Sequence, residues 1–415
     1  MKEYVISEMG KMTKNITLED YKDECLFKTP ADVHEFVREC GYRSGIVNNA
    51  SSTYHYQESK EAYLLTVIRP TYACMERDLP KFKEGVDRIL EGIAGNDELT
   101  DIQKAMLIHD RLIIQCKYDD ADINEKMATD AHSGWGALVD HDAVCSGYAS
   151  AYCYLLEQVG IKSEFCPSVE LDHVWNIVYI DDVPYHVDVT WDDMSTYSKG
   201  YVSHENFLVS SDKLYETHIA NDYPTYPKEK KFDHYFWQDS KAEFQLFNGS
   251  VYYIDNDKET LNEWQGEDSV TLLKIKDTWG RYDKKGFNYS TLTNDGERLL
   301  YSLSDAIYAY DTDSGVSEVV YQPVELDQVE NGSIYGFEYS EGEYLCDISD
   351  MPLLACEIEA IEHTLTAQTA WKYGMIGVAT IVFMFVAVNI RKRKQKRKLR
   401  RKNNEETDIG RIEEV

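Results

Sequence analysis

The sequence contains no C-x-x-C pair, and its nine cysteines are odd in number over 415 residues. Neither a zinc ribbon nor a small disulfide scaffold fits that usage, so most of the cysteines read as buried free thiols. Proline is scarce at nine residues, and with 43 % hydrophobic residues the chain is too apolar to be intrinsically disordered. Positive charge is also short: 43 Lys and Arg against 74 Asp and Glu give a net charge of −31. The deficit deepens over the body, because residues 371–415 carry +7 and leave −38 for residues 1–370. Such a surface repels phosphate backbones, which excludes nucleic acid as a partner. The N-terminus, MKEYVISEMGKMTKNITLED, lacks the apolar stretch of a signal peptide. A calcium loop is missing too. Asp120, Asp122 and Asn124 have the right spacing, but Glu125 stands where glycine is needed and Ala131 at the twelfth position. No metal or cofactor is expected.

At roughly 150 residues per domain, this length predicts two or three domains. One segment is distinct. Gly374 to Ile390 is uncharged and follows Trp371, Lys372 and Tyr373. Counted from Trp371, it is long enough to cross about 30 Å of hydrocarbon. Ten basic residues in the twelve of 391–402 follow it. The expectation is a single transmembrane helix at 371–390, a juxtamembrane segment at 351–370 and a basic cytoplasmic tail at 391–415, with the acidic body on the other side. That orientation conflicts with the N-terminus, and an upstream signal segment missing from this chain is preferred to a tail anchor.

Residues 1–95 read as a small α+β module. ADVHEFVREC forms a helix and AYLLTVIR a strand ending at Pro70. A second helix carries Phe82, Val86, Ile89, Leu90 and Ile93 and stops at Gly95. Thr100 and Gln103 match a capping box, and Ile102, Met106, His109, Ile113 and Cys116 follow as one stripe, which makes His109 a hydrogen-bonded core histidine. From 226 to 350, Asn or Asp beside Gly249, Gly296 and Gly332 opens runs of alternating apolar and aromatic residues. These predict an antiparallel β domain of propeller-blade-like hairpins.

Three stretches carry chemistry: AVCSGYASAYCYLL, DHVWNIVYI and VPYHVDVTWDD. After Cys145, the apolar positions Ala149, Tyr152, Leu156 and Val159 recur at helical spacing, which puts Cys145 at the first turn, where the helix dipole favours a thiolate. His173–Ile180 and Val183–Trp191 flank Asp181 and Asp182 as two arms of a hairpin. With a two-residue loop, Asp188 faces Trp175 and His173 is its diagonal neighbour on the same side. A nucleophile, a base and an orienting acid are the parts of a cysteine acyl-transfer site, in which the Cys145 N–H supplies half of an oxyanion hole. His186, two residues before Asp188, competes with His173. Asp192 and Asp193 read as turn and supporting residues.

Together these blocks resemble the transglutaminase-like superfamily over roughly residues 96–225. The resemblance implies a papain-like core at 96–225, with Cys145 as nucleophile, His173 as base, Asp188 as orienting acid, and Trp175, Asn176 and Trp191 as supporting candidates. It departs at Ser146, where bacterial members often carry Gln, so a second oxyanion donor is left unassigned. The overall expectation is an α+β fold. It comprises that core, the N-terminal module, the C-terminal antiparallel β domain and one transmembrane helix. The implied function is that of a membrane-anchored acyltransferase or amidase on a bacterial cell surface. It acts on peptide or protein amides, with Lys amines or water as acceptor. The alternative is a silent surface scaffold whose tyrosine-rich β domain binds a partner such as a cell-surface polymer.

Overall fold

The computed structural model describes residues 1–349 apart from 120–129, 195–198, 267, 276–280, 283–284, 287–289, 330–331 and 341. The Asp120–Asn124 run and the segments expected at 351–370, 371–390 and 391–415 lie outside the described residues, 349 excepted as their limit.

The chain opens with helix α1 (Lys2–Gly10), strands β1 (Ile16–Thr17) and β2 (Leu26–Phe27), and helix α2 (Pro30–Ser44). Thr29 starts α2 with a reciprocal capping box to Asp32, and Gly45 ends it at φ +73°, a conformation that glycine adopts without a Cβ penalty. Strands β3 (Val47–Gln57) and β4 (Ala62–Tyr72) form a long antiparallel hairpin, and β4 also pairs with β1 and β2. Strand β4 runs past Pro70, where the sequence reading ended it. β1 meets β4 only at Val67 and Ile68, so no strand on that side requires the amide that Pro70 lacks. α1 and α2 pack on this sheet through Val5, Met9, Val33, Val37 and Cys40.

Helix α3 (Leu79–Leu90) ends before Gly92, not at Gly95. Helix α4 (Asp101–Gln115) begins with the Thr100–Gln103 capping box expected from the sequence. Thr100→Ala removes one side of that box and should cost about 1 kcal/mol, read as a lowered denaturant midpoint with unchanged slope. After the short parallel pair β5 (Lys117–Tyr118) and β6 (Asp142–Ala143) comes helix α5 (Cys145–Gln158). It packs on an antiparallel sheet ordered β7 (Ser163–Ser168), β8 (His173–Ile180), β9 (Val183–Val187), and the short helix α6 (Val189–Asp192) follows. Tyr148, Tyr152, Leu155 and Leu156 of α5 meet Met106, Leu112, Val178 and Val187 in the principal core.

Beyond this core, strands within 245–274 and 292–321 form two four-stranded antiparallel meanders, and 333–349 forms a hairpin. Asn248 and Gly249, both at positive φ, make the first turn of the first meander. Val251, Tyr253 and Trp264 of that meander join the principal core. These described residues belong to one compact unit, Met1–Pro352.

The fold expected from sequence is corrected in one respect. The core, the α+β character and the antiparallel sheets are present, but the transmembrane helix is not part of the fold described. No helix among the described residues is long and apolar enough to cross a membrane. The longest, α2 and α4, have 15 residues each, roughly 22 Å at ~1.5 Å per residue, and both carry charged residues on their outer faces.

Candidate active site

Cys145 is the first residue of α5, and the preceding Val144 gives no side-chain cap. The Gly147 and Tyr148 N–H groups reach the Val144 carbonyl, which leaves those of Cys145 and Ser146 without an intrahelical acceptor, and the helix dipole favours negative charge beside them. A short 3₁₀ turn, Asp130–His132, lies against this end. Gly147 allows the approach, since a Cβ there would sit 2.3 Å from the Ala131 carbonyl oxygen. As a result His132 Nδ1 stands 3.0 Å from Ser146 Oγ, beside the cysteine.

The β8–β9 hairpin has the register read from the sequence, Ile180 opposite Val183 and Asn176 opposite Val187, with Asp181 and Asp182 both at positive φ in the turn. β9, however, ends at Val187. Asp188 is the N-cap of α6, where Oδ1 accepts from the backbone N–H groups of Thr190 (3.0 Å) and Trp191 (3.1 Å). Its Oδ2 accepts from His173 Nε2 at 2.6 Å and from His218 Nε2 at 2.8 Å. Burial opposes ionisation of Asp188, but the His173 charge and these hydrogen bonds outweigh it and hold the carboxyl well below the usual range.

With Nε2 committed to Asp188, the His173 ring keeps Nδ1 for other partners, and His173 and Cys145 line the same groove. Burial pushes the His173 pKa down, yet Asp188, with help from Cys145, raises it to about 10. The folded value exceeds the ordinary 6.5, so this proton stabilises the fold fully below pH 6.5 and the contribution is lost as pH rises through about 10. Trp175 and Trp191 stack on the His173 ring at centroid distances of 5.5 and 5.6 Å. Asn176 Nδ2 donates to the Ala149 carbonyl at 3.1 Å and ties β8 to α5.

His186 is elsewhere. It accepts from Trp175 Nε1 at 3.1 Å through Nδ1, and burial together with the His218 charge drops its pKa to about 3, so it stays neutral and structural. His109 is fully buried and bonds Asp110 at 2.7 Å. Asp192 is buried and accepts from Asn206, while Asp193 accepts from the Tyr148 hydroxyl at 2.5 Å. His218 escaped the sequence reading. It lies 30 residues beyond its partner with no periodic signal, and only the tertiary fold brings it to Asp188.

Two groups, His173–Asp188–His218 and His109–Asp110–His204, bring potential metal-ligating atoms within 4.8 Å of one another. In both, the carboxylate is already hydrogen-bonded to the neighbouring imidazoles. Asp110 accepts from His109 Nδ1, from His204 Nε2 at 3.1 Å and from the Phe244 N–H at 2.7 Å, as Asp188 does from its two imidazoles.

Cys145 and His173 open into a groove of about 1370 Å³, whose walls come from α1 and α2 on one side and from β7 with the β7–β8 loop on the other. Glu35, Arg38 and Tyr42 line it together with Phe165, Pro167 and Val169.

Residues 88–191 match the family model of the transglutaminase-like superfamily. Over that segment the chain is similar to this superfamily. The matched segment runs from the end of α3 to Trp191 and ends before His218. A comparison with curated proteins gave no match. Among solved structures, a TGase overlaps 40 % of this chain and 48 % of its own at 9 % identity and a TM-score of 0.25. A proposed cysteine protease from Cytophaga hutchinsonii overlaps 35 % and 65 % at 13 % identity and a TM-score of 0.21. A proposed protease from Parabacteroides distasonis overlaps 34 % and 36 % at 9 % identity and a TM-score of 0.21. The chain thus spans less than two thirds of each of these structures.

Proposed function

We propose that Cys145, His173 and Asp188 form a catalytic triad that takes acyl groups from peptide or protein amides through a thioester. The observation carrying this reading is the His173 ring, bonded to Asp188 at 2.6 Å and lining the same groove as the helix-terminal Cys145. His173 accepts the thiol proton, and the Cys145 sulfur attacks the amide carbonyl carbon. The carbon–oxygen π pair moves onto oxygen, where the Cys145 N–H receives it. Collapse of the intermediate breaks the C–N bond, the amine leaves with the proton held on His173, and an acyl thioester remains on Cys145. Water or a primary amine then releases the acyl group. A groove of about 1370 Å³ exceeds the roughly 300–1,000 Å³ of small-molecule pockets and suits an extended peptide.

Thiol labelling tests the pair. Burial raises the thiols of Cys25, Cys74 and Cys346 to about 11 and those of Cys40 and Cys153 to about 12, so they present almost no thiolate at neutral pH. With a low concentration of iodoacetamide at pH 7, Cys145 should alkylate on the order of 10²-fold faster than these, and His173→Ala should remove the advantage. Peptide mapping reads the result. Uniform slow labelling would mean that the site is silent and would redirect attention to the tyrosine-rich sheets as a binding surface.

A further inference from the structure

An oxyanion hole acts through at least two donors aimed at the same oxygen, and the Cys145 N–H is one. Its companion must come from an element that faces the first turn of α5. Among the described residues, the polar side chains lining the groove with Cys145 include Ser146, His132 and Tyr42. Ser146 is on the helix itself, His132 is engaged with Ser146 through Nδ1, and Tyr42 reaches in from α2, outside the segment matched to the family. The Tyr42 side chain lines the groove together with Ser146 and Cys145.

Tyr42 is also held in place. Its ring packs on Phe165 at 5.1 Å, and its backbone carbonyl accepts from Ser150 Oγ of α5 at 2.6 Å. The next residue, the buried Arg43, fastens α2 to the core through Glu157 and the Ser163 carbonyl at 2.7 Å. A donor so fixed needs little reorganisation when charge develops, which is what gives oxyanion contacts their effect. Burial, reinforced by Cys145, raises the phenol pKa, and Arg38 and Ser146 only partly oppose it, so the hydroxyl keeps its proton for donation.

We propose that the Tyr42 hydroxyl is the second oxyanion donor, meeting the carbonyl oxygen as the tetrahedral intermediate forms. This rests on Cys145 being the nucleophile. The inference makes the N-terminal module part of the chemistry and assigns Tyr42 a catalytic role.

Two probes of the full chain separate the possibilities. Iodoacetamide alkylates sulfur by displacement at carbon and develops no oxyanion. p-Nitrophenyl acetate acylates sulfur through one: the S–C bond forms, charge moves to oxygen, and collapse expels p-nitrophenolate and leaves an acetyl thioester. In Tyr42→Phe, which keeps the ring against Phe165, Cys145 should alkylate within about twofold of the wild-type rate, while acetylation, followed by intact mass, should fall ~10²-fold or more. Equal losses with both probes, or no loss with either, would overturn the assignment, as would a wild-type Cys145 that alkylates rapidly but is never acetylated. A wild-type Cys145 without selective alkylation would instead overturn the nucleophile reading beneath it. Should Phe disturb folding, 3,5-difluorotyrosine at position 42 retains the shape with a more acidic hydroxyl. Acetylation must then change rate while alkylation does not, and an unchanged acetylation rate would count against the proposal.

Discussion

Cys145→Ala should lower acyl transfer by roughly 10⁴-fold or more and leave the melting temperature close to that of the wild type. Both halves of this expectation come from the position of the residue. Cys145 is partly exposed at the mouth of the groove and is absent from the core clusters, so truncating it removes little packing. No described thiol can replace it. Cys153 and Cys166 are buried, one beside Ser163 and the other in the satellite core around Trp175, and burial raises both thiols. Acetyl thioester formation with p-nitrophenyl acetate, measured by intact mass alongside a thermal scan, checks both halves. Undiminished acetylation in the alanine variant would remove Cys145 from the mechanism.

The second large effect is expected at Asp188. In Asp188→Asn the side chain still caps α6 through its carbonyl oxygen, but its NH₂ group then confronts two imidazole N–H donors, those of His173 and His218. One ring must change tautomer or both must withdraw, and the His173 imidazolium loses its counter-charge inside a buried site. Turnover should fall about 10⁴-fold, the effect expected when the base is held in the wrong tautomer. The His173 titration should move from about 10 to below its ordinary 6.5, because burial persists after the raising influence of Asp188 has gone. An NMR titration of the imidazole reports this directly. A His173 pKa unchanged in the Asn variant would show that the carboxylate does not set the state of the base.

Local pattern made much of the site legible. The β8–β9 register followed from two β-rich runs separated by Asp181–Asp182, since a two-residue loop leaves one pairing that keeps both apolar faces inward. The position of Cys145 on α5 followed from the apolar spacing behind it. Asp188 was read as a strand residue facing Trp175, whereas the chain turns there into α6, a helix too short to leave a periodic trace. Strand β3 was missed because its sequence, VNNASSTYHYQ, is polar, and pairing with β4 overrides its weak propensity. His218, His132 and Tyr42 carry no local signature, and each reaches the site through packing between distant segments.

The groove shared between α1–α2 and β7 has a consequence for how such a protein can diversify. The reacting groups sit on one structural unit, while much of the facing wall is supplied by an earlier stretch of chain with its own small core. Exchange or drift of that earlier stretch would alter what fits the groove while leaving His173 and Asp188 in place. Selectivity can thus evolve on one partner and reactivity be preserved on the other, as a tool changes its jaw and keeps its handle. Tyr42 sets the limit on that freedom, for a replacement module that brought no hydroxyl to the same spot would inherit the grip without the full catalytic power.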